Sequence, residues 1–285
     1  MGRYSLAAKW MLVFSVLCLA SFSALAQVLL EIDTGRTEGV LTKRPVYQRA
    51  LMWSAIEKTD TAILFFRGWP GISRIEPDST FHVGFNNLIQ LDGFRSHHIS
   101  VVLMDCPTDQ WGQKSLDTPT GCDDSYRSSA RHAEDARLII NRLKTEFNLS
   151  KIYLVGHSHG TISAKLLGKA LAHEVSGVIS SAAVTVQYGG SVSNFGWAGA
   201  QFDMNSLKVP VLNIHHQKDA CRVTPYATVL AYSQKNLITV RGGVDAAAAC
   251  GGQGYHSYGG HGSAISMAMI KWIKTRELPQ FIGEE

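Results

Sequence analysis

Short runs of consecutive apolar residues, rich in Val, Ile and Leu, recur along the chain from about residue 28, and helical patterns separate them. The clearest are "TAILFF" (61–66), "HISVVLMD" (98–105), "KIYLVG" (151–156), "VSGVISSAAV" (175–184), "VPVLNIHH" (209–216) and "NLITVRG" (236–242). Unbroken apolar runs suit strands covered on both faces, whereas a half-exposed strand alternates. "VLLEI" and "PVYQRALMW" are expected as two earlier strands. Between the runs, Ala136, Ile139, Ile140, Leu143 and Phe147 recur at helical spacing in "SARHAEDARLIINRLKTEF". "GTISAKLLGKALAHE" and the closing "GSAISMAMIKWIKTR" also read as helices. Strands alternating with helices imply parallel pairing. The expected fold is therefore α/β, a mostly parallel central sheet with helices on both faces. A chain of 285 residues is long enough to bury such a sheet as one domain over 27–285.

Residues 1–26 are expected to be a cleaved signal peptide. Arg3 and Lys9 supply a basic start, "WMLVFSVLCLASFSALA" is short for a membrane span, and Ala24-Leu25-Ala26 forms a small-x-small cleavage pattern. Removing this segment lowers the formal charge from +4 to +2 and takes away Cys18. No basic patch interleaved with aromatics suggests a nucleic-acid partner. Cys106, Cys122, Cys221 and Cys250 then remain, an even number that in an exported protein suggests disulfides. Proximity favours Cys106 with Cys122 and Cys221 with Cys250. The chain has no C-x-x-C or H-x-x-x-H spacing, so no metal is expected, and the serine chemistry set out below needs no cofactor.

The chemistry centres on "LVGHSHGTISA" (154–164), where Ser158 stands between Gly156 and Gly160, after an apolar run and before a helical one. Strand, G-x-S-x-G and helix in that order make a turn that lifts a serine hydroxyl to the end of the sheet. No Gly-Lys-Ser/Thr follows, which excludes a phosphate-binding P-loop. A nucleophilic serine needs a base, and the base needs an orienting carboxylate. Asp219 lies just after "VPVLNIHH", and "GGHGSAI" places His261 just before the last helix. Asp203 and Asp245 are rivals for the acid, and His256 competes with His261 in the same Gly-rich loop.

With "GHSHG", "HHQKD", "GGHG" and "FFRGWPG" (65–71), the sequence resembles the α/β-hydrolase superfamily from about Thr61 to Ile273. The resemblance implies a nucleophile Ser158, an acid Asp219 and a base His261, the histidine that directly precedes the last helix. It also implies that the backbone N–H groups of His159 and Trp69 bind the oxyanion, with the Gly68 N–H as a substitute. Members commonly carry His-Gly in the oxyanion loop, where this chain has Arg67-Gly68. Residues 184–208, rich in Gly and aromatics, are expected as a short lid-like insertion. Trp69, Trp111, Tyr188, Phe195 and Trp197 are candidates for an acyl pocket, while His157, His159, His215 and His216 are expected to pack around the site. The implied protein is an exported serine hydrolase, secreted or periplasmic. It would act on a small-molecule or acyl ester and have no stable membrane anchor after signal cleavage. Amide or thioester cleavage is a second reading, as a peptidase or amidase on the same fold, and a non-catalytic binding protein that keeps the fold is a third.

Overall fold

The computed structural model describes residues 27–85, 87–112, 121–188 and 195–284. The expected signal peptide lies outside the described residues, as does the middle of the lid-like insertion. Strands β1 (Gln27–Glu38), β2 (Arg44–Trp53), β3 (Thr61–Phe66), β4 (Ser100–Met104), β5 (Lys151–His157), β6 (Gly177–Ser181), β7 (Val211–His216), β8 (Leu237–Val240) and β9 (Phe281–Ile282) form one sheet in the order β1-β2-β4-β3-β5-β6-β7-β8-β9. The first two strands form an antiparallel hairpin, and β2 pairs antiparallel with β4. From β4 to β9 every pairing is parallel.

The unbroken apolar runs follow from this arrangement. Along β3, Ile63 and Phe65 point into one core and Ala62, Leu64 and Phe66 into the other. The first core is closed by α1 (Leu91–Ser96) and α7 (Gly262–Thr275), through Phe94, Ile265, Met269 and Trp272. The second is closed by α3 (Ala130–Phe147) and α4 (Gly160–Ala170). The periodic residues Ala136, Ile139, Ile140 and Leu143 of α3 are fully buried there. Burial of each large aliphatic side chain is worth about 1.5–3 kcal/mol. Helix α3 starts where the Ser129 hydroxyl accepts the His132 N–H (3.2 Å) and stops at Asn148, whose φ of 57° is left-handed.

Three short helices, α2 (Asp124–Arg127), α5 (Trp197–Ala200) and α6 (Tyr226–Ser233), lie in the connections. The run 175–184 yields a strand only over Gly177–Ser181. Ala182, with φ 45°, turns the chain out of the sheet, and its N–H donates to the Ile214 carbonyl. Disulfides join Cys106 to Cys122 and Cys221 to Cys250. Among the described residues no helix is long and apolar enough to cross a membrane.

Candidate active site

Strand β5 ends at His157 and α4 begins at Gly160, which leaves Ser158 at the turn between them with φ 52°. A non-glycine residue in this region is strained, and such strain persists only where its surroundings enforce it. Here the Ser158 N–H donates to the Ser181 carbonyl (2.9 Å), and the Ser158 carbonyl accepts from the Thr161 N–H (2.9 Å) and hydroxyl (2.6 Å). The flanking glycines are required by space. A methyl group on Gly156 would collide with the backbone of Gly160 and Thr161, and one on Gly160 with the carbonyl oxygen of Phe66.

The loop after β3 approaches from the other side. A Cβ on Gly68 would lie 3.4 Å from the Ser158 Cβ. Among the described residues neither the Trp69 nor the His159 backbone N–H donates to a protein acceptor. This loop is braced from below. The buried Asp105 carboxylate accepts the N–H groups of Ser73 (2.7 Å), Ile75 (2.8 Å) and Cys106 (2.8 Å). Burial pushes its pKa up to about 6 despite those three donors. Arg127, fully buried, donates to the Cys122 carbonyl (2.6 Å), the Ser163 hydroxyl and the Arg67 carbonyl (3.4 Å).

Asp219 follows β7 and its side chain is fully buried. Its oxygens accept the Cys221 N–H (2.9 Å) and the Thr224 hydroxyl (2.9 Å), and His215 Nε2 lies 3.2 Å from Oδ2. His256 Nδ1 stands 3.0 Å from Oδ2 and 3.2 Å from Oδ1. Burial opposes the charge, but hydrogen bonds from His215 and His256 outweigh it and hold the carboxyl well below the usual carboxylate range. An ionised carboxylate only accepts, so His256 Nδ1 carries the proton and Nε2 is the free lone pair.

The expected base, His261, is elsewhere. It caps α7, its ring fills the space beside Gly243 and Gly283, and its Nε2 is buried without a partner. His261 neither bonds Asp219 nor lines the cavity over Ser158; His256 does both. The difference in placement has a physical cause in the Gly-rich loop. Tyr255–Ser257 form a single 3₁₀ turn. Tyr255 stacks on His216 at 4.3 Å, and the Tyr258 hydroxyl donates to the Ile214 carbonyl (2.7 Å). These anchors drive His256 inward, where it is 3% exposed.

A cavity of about 370 Å³ opens over Ser158, lined by Trp69, Phe85, Phe195, His157, His256 and both cysteines of the 221–250 disulfide. Of the aromatics expected there, Trp69 and Phe195 line it. Trp111 instead donates to the Cys106 carbonyl, Tyr188 lies under Arg222, and Trp197 packs with Ile162 and Val184. Phe85 was not foreseen, because nothing in "FHVGFNN" marks it as part of a site.

The histidines flanking Ser158 pack behind it. His157 Nδ1 is 3.0 Å from the Ser181 hydroxyl, and its ring lies 5.2 Å from that of His256. Burial, followed by the neighbouring His256, pushes its pKa well below the ordinary value. His159 is fully buried, stacks on Phe195 at 4.5 Å and donates from Nε2 to Asp124 (2.7 Å). Burial lowers its pKa to about 4 although Asp124 opposes the shift. Asp124 also accepts the Gly196 and Ala198 N–H groups (3.0 and 2.9 Å), and so ties residues 196–198 of the insertion to the serine turn. Asp124 is a positioning residue that sequence reasoning missed; its only signal was an acid in the Cys-rich segment before α3.

His216 Nε2 donates to the Gly242 carbonyl (2.8 Å) and its Nδ1 accepts the Lys218 N–H (3.0 Å). Asp203 caps a 3₁₀ turn and Asp245 accepts the N–H of its neighbour Ala246, so neither rival acid reaches a histidine. Among the described residues no group of three or more His, Cys, Asp or Glu is placed to hold a metal.

The fold is that of the α/β-hydrolases. A predicted CIB-like hydrolase from Thermoplasma acidophilum is similar at TM-score 0.54 and 18% identity, covering 88% of this chain and 99% of that one. A putative dienelactone hydrolase from Klebsiella pneumoniae is similar at TM-score 0.54 and 14% identity, with the same coverage. Est1E from Butyrivibrio proteoclasticus is similar at TM-score 0.52 and 14% identity, covering 81% of this chain and 96% of that one. No family model and no curated protein sequence matches the chain.

Proposed function

We propose that this protein is a serine hydrolase that cleaves carboxylic esters through an acyl-enzyme on Ser158, with His256 as base and Asp219 as its orienting acid. The observation that carries the reading is the buried Asp219–His256 hydrogen bond at the wall of the cavity that also holds Ser158. The similarity to hydrolases and esterases of the same fold supports it.

In this mechanism the Ser158 oxygen attacks the ester carbonyl and His256 Nε2 takes its proton. Asp219 keeps the imidazole in the Nδ1–H tautomer and stabilises the imidazolium. The Trp69 and His159 N–H groups receive the developing oxyanion, each such donor being worth about 2.7–4 kcal/mol in comparable sites. Collapse expels the alcohol, which takes the proton from His256. Water then attacks the acyl-enzyme through the same base and releases the acid. No described hydrogen bond joins Ser158 to His256, as is common before substrate binds.

Export is part of the proposal. The basic start and small-x-small site of residues 1–26, together with two disulfides, suit an oxidising compartment outside the cytoplasm. Turnover of p-nitrophenyl esters set against aminoacyl p-nitroanilides tests the bond. Faster ester cleavage is expected, and preferential cleavage of the anilides would make the protein a peptidase on this fold.

A further inference from the structure

Arg67 stands where α/β-hydrolases commonly carry histidine, and the mechanism above gives its side chain no task. It leaves β3 and lines the cavity beside Gly68, Trp69 and Ser158. Its guanidinium has five N–H donors. One hydrogen bond is formed, from Nη1 to the Ile72 carbonyl (2.8 Å), and Nε is buried without a partner. Other arginines near the sheet find acids: Arg36 pairs with Asp135, Arg49 with Glu31 and Arg137 with Glu174. Arg67 has no carboxylate within ion-pair distance among the described residues. Asp105, the anion whose field reaches it, already accepts three backbone N–H groups.

Among the described residues no Asp or Glu lines the cavity, and Asp219 sits behind His256. Arg127 adds a second cation beneath the same loop, hydrogen-bonded to the Arg67 carbonyl. A half-buried arginine with unused donors, in a cavity whose described lining holds no acid, favours an anionic group over a neutral one. Planar, forked donors fit a carboxylate. Trp69, Phe85 and Phe195 supply apolar walls for the remainder of the ligand.

We propose that Arg67 is a specificity residue that binds a carboxylate carried by the substrate, so that the preferred esters are anionic, with a carboxylate a few bonds from the scissile carbonyl. This rests on the reading of Ser158 as nucleophile, but the test separates the two. Binding is measured by calorimetry to Ser158→Ala, which cannot turn the ligand over. Monomethyl glutarate is compared with methyl pentanoate, and 3-acetoxypropanoate with butyl acetate. The first pair carries the charge on the acyl side and the second on the alcohol side.

The expected result is at least about 10-fold tighter binding of the anionic member of one pair, the scale of a charge-assisted hydrogen bond. Arg67→Gln in the same background should abolish that ratio and Arg67→Lys restore part of it. If Arg67 only clamps the loop through Ile72, Gln will weaken both members of each pair together and leave the ratio unchanged. That outcome overturns the proposal, as does equal binding, or no binding, of all four esters to Ser158→Ala. Charge preference without hydrolysis by the unsubstituted enzyme would instead overturn the catalytic reading and leave the role of Arg67 standing.

Discussion

His256 Nδ1 lies 3.0 Å from Asp219 Oδ2, while His261 packs beside Gly243 and Gly283 with its Nε2 buried and unpaired. Two histidines in one loop thus have separable tasks. His256→Ala should lower kcat on a p-nitrophenyl ester by about 10⁴-fold or more, as loss of a base acting in concert with its nucleophile does. His261→Ala should lower kcat by less than about 10-fold and reduce Tm through the cavity it leaves. Steady-state kinetics on the two variants decides, and the opposite ranking would return the base to His261.

The Cys221–Cys250 disulfide links the loop of Asp219 to the loop of His256, and the Cys221 N–H itself donates to Asp219 Oδ1. Closing a segment with a sequence separation of 29 is worth about 3–4 kcal/mol in the chain-entropy model. The double variant Cys221→Ser/Cys250→Ser should lose stability on that scale. Below its melting transition it should also lose roughly 10- to 100-fold in kcat, because a displaced base is costly. Cys106→Ser/Cys122→Ser should lower kcat less, since that bridge braces the oxyanion loop at a remove, through Arg127 and Cys122. Equal kcat losses in both double variants would contradict this.

His132 is buried between the rings of Phe66 and Tyr126, and neither of its ring nitrogens has a partner. Burial, with Arg127 adding to it, lowers its pKa to about 3. The unfolded chain therefore takes up a proton near pH 6.5 that the folded chain refuses. The associated stability is complete above that pH and is lost as pH falls toward 3. His159, at about 4, acts in the same direction. His132→Phe should reduce the loss on acidification to pH 4.5 by on the order of 2–3 kcal/mol. Urea unfolding at pH 7 and pH 4.5 measures it, and identical pH dependence in both proteins would refute it.

Gly160→Ala drives a methyl group into the Phe66 carbonyl oxygen and so parts the serine turn from the oxyanion loop. Soluble expression or kcat should fall at least about 10²-fold. A variant with ordinary Tm and kcat would show that the close approach is dispensable.

The sheet was legible because a strand covered on both faces must be apolar along most of its length; β3 and β4 carry that pattern after a single polar first residue. Ser158 was legible because its turn needs glycine at 156 and 160 for reasons of space. The choice between His256 and His261 was not. Sequence position put His261 at the mouth of the last helix, but the path of the loop is set by contacts far apart in the chain, Tyr258 on Ile214 and Tyr255 on His216. The aromatic pair around "YHSY" was the available signal, since two rings bracketing a histidine among glycines suggest an anchored turn. Asp124 was hidden for the same reason: its three partners lie 35 to 74 residues away.

The central claim is that Ser158 is a nucleophile activated by His256. A fluorophosphonate probe, followed by peptide mass mapping, tests it most directly. The account predicts stoichiometric labelling of Ser158, none in Ser158→Ala, slowing by several orders of magnitude in His256→Ala, and near-normal labelling in His261→Ala. No labelling of the native enzyme, or labelling at full rate in His256→Ala, would contradict it.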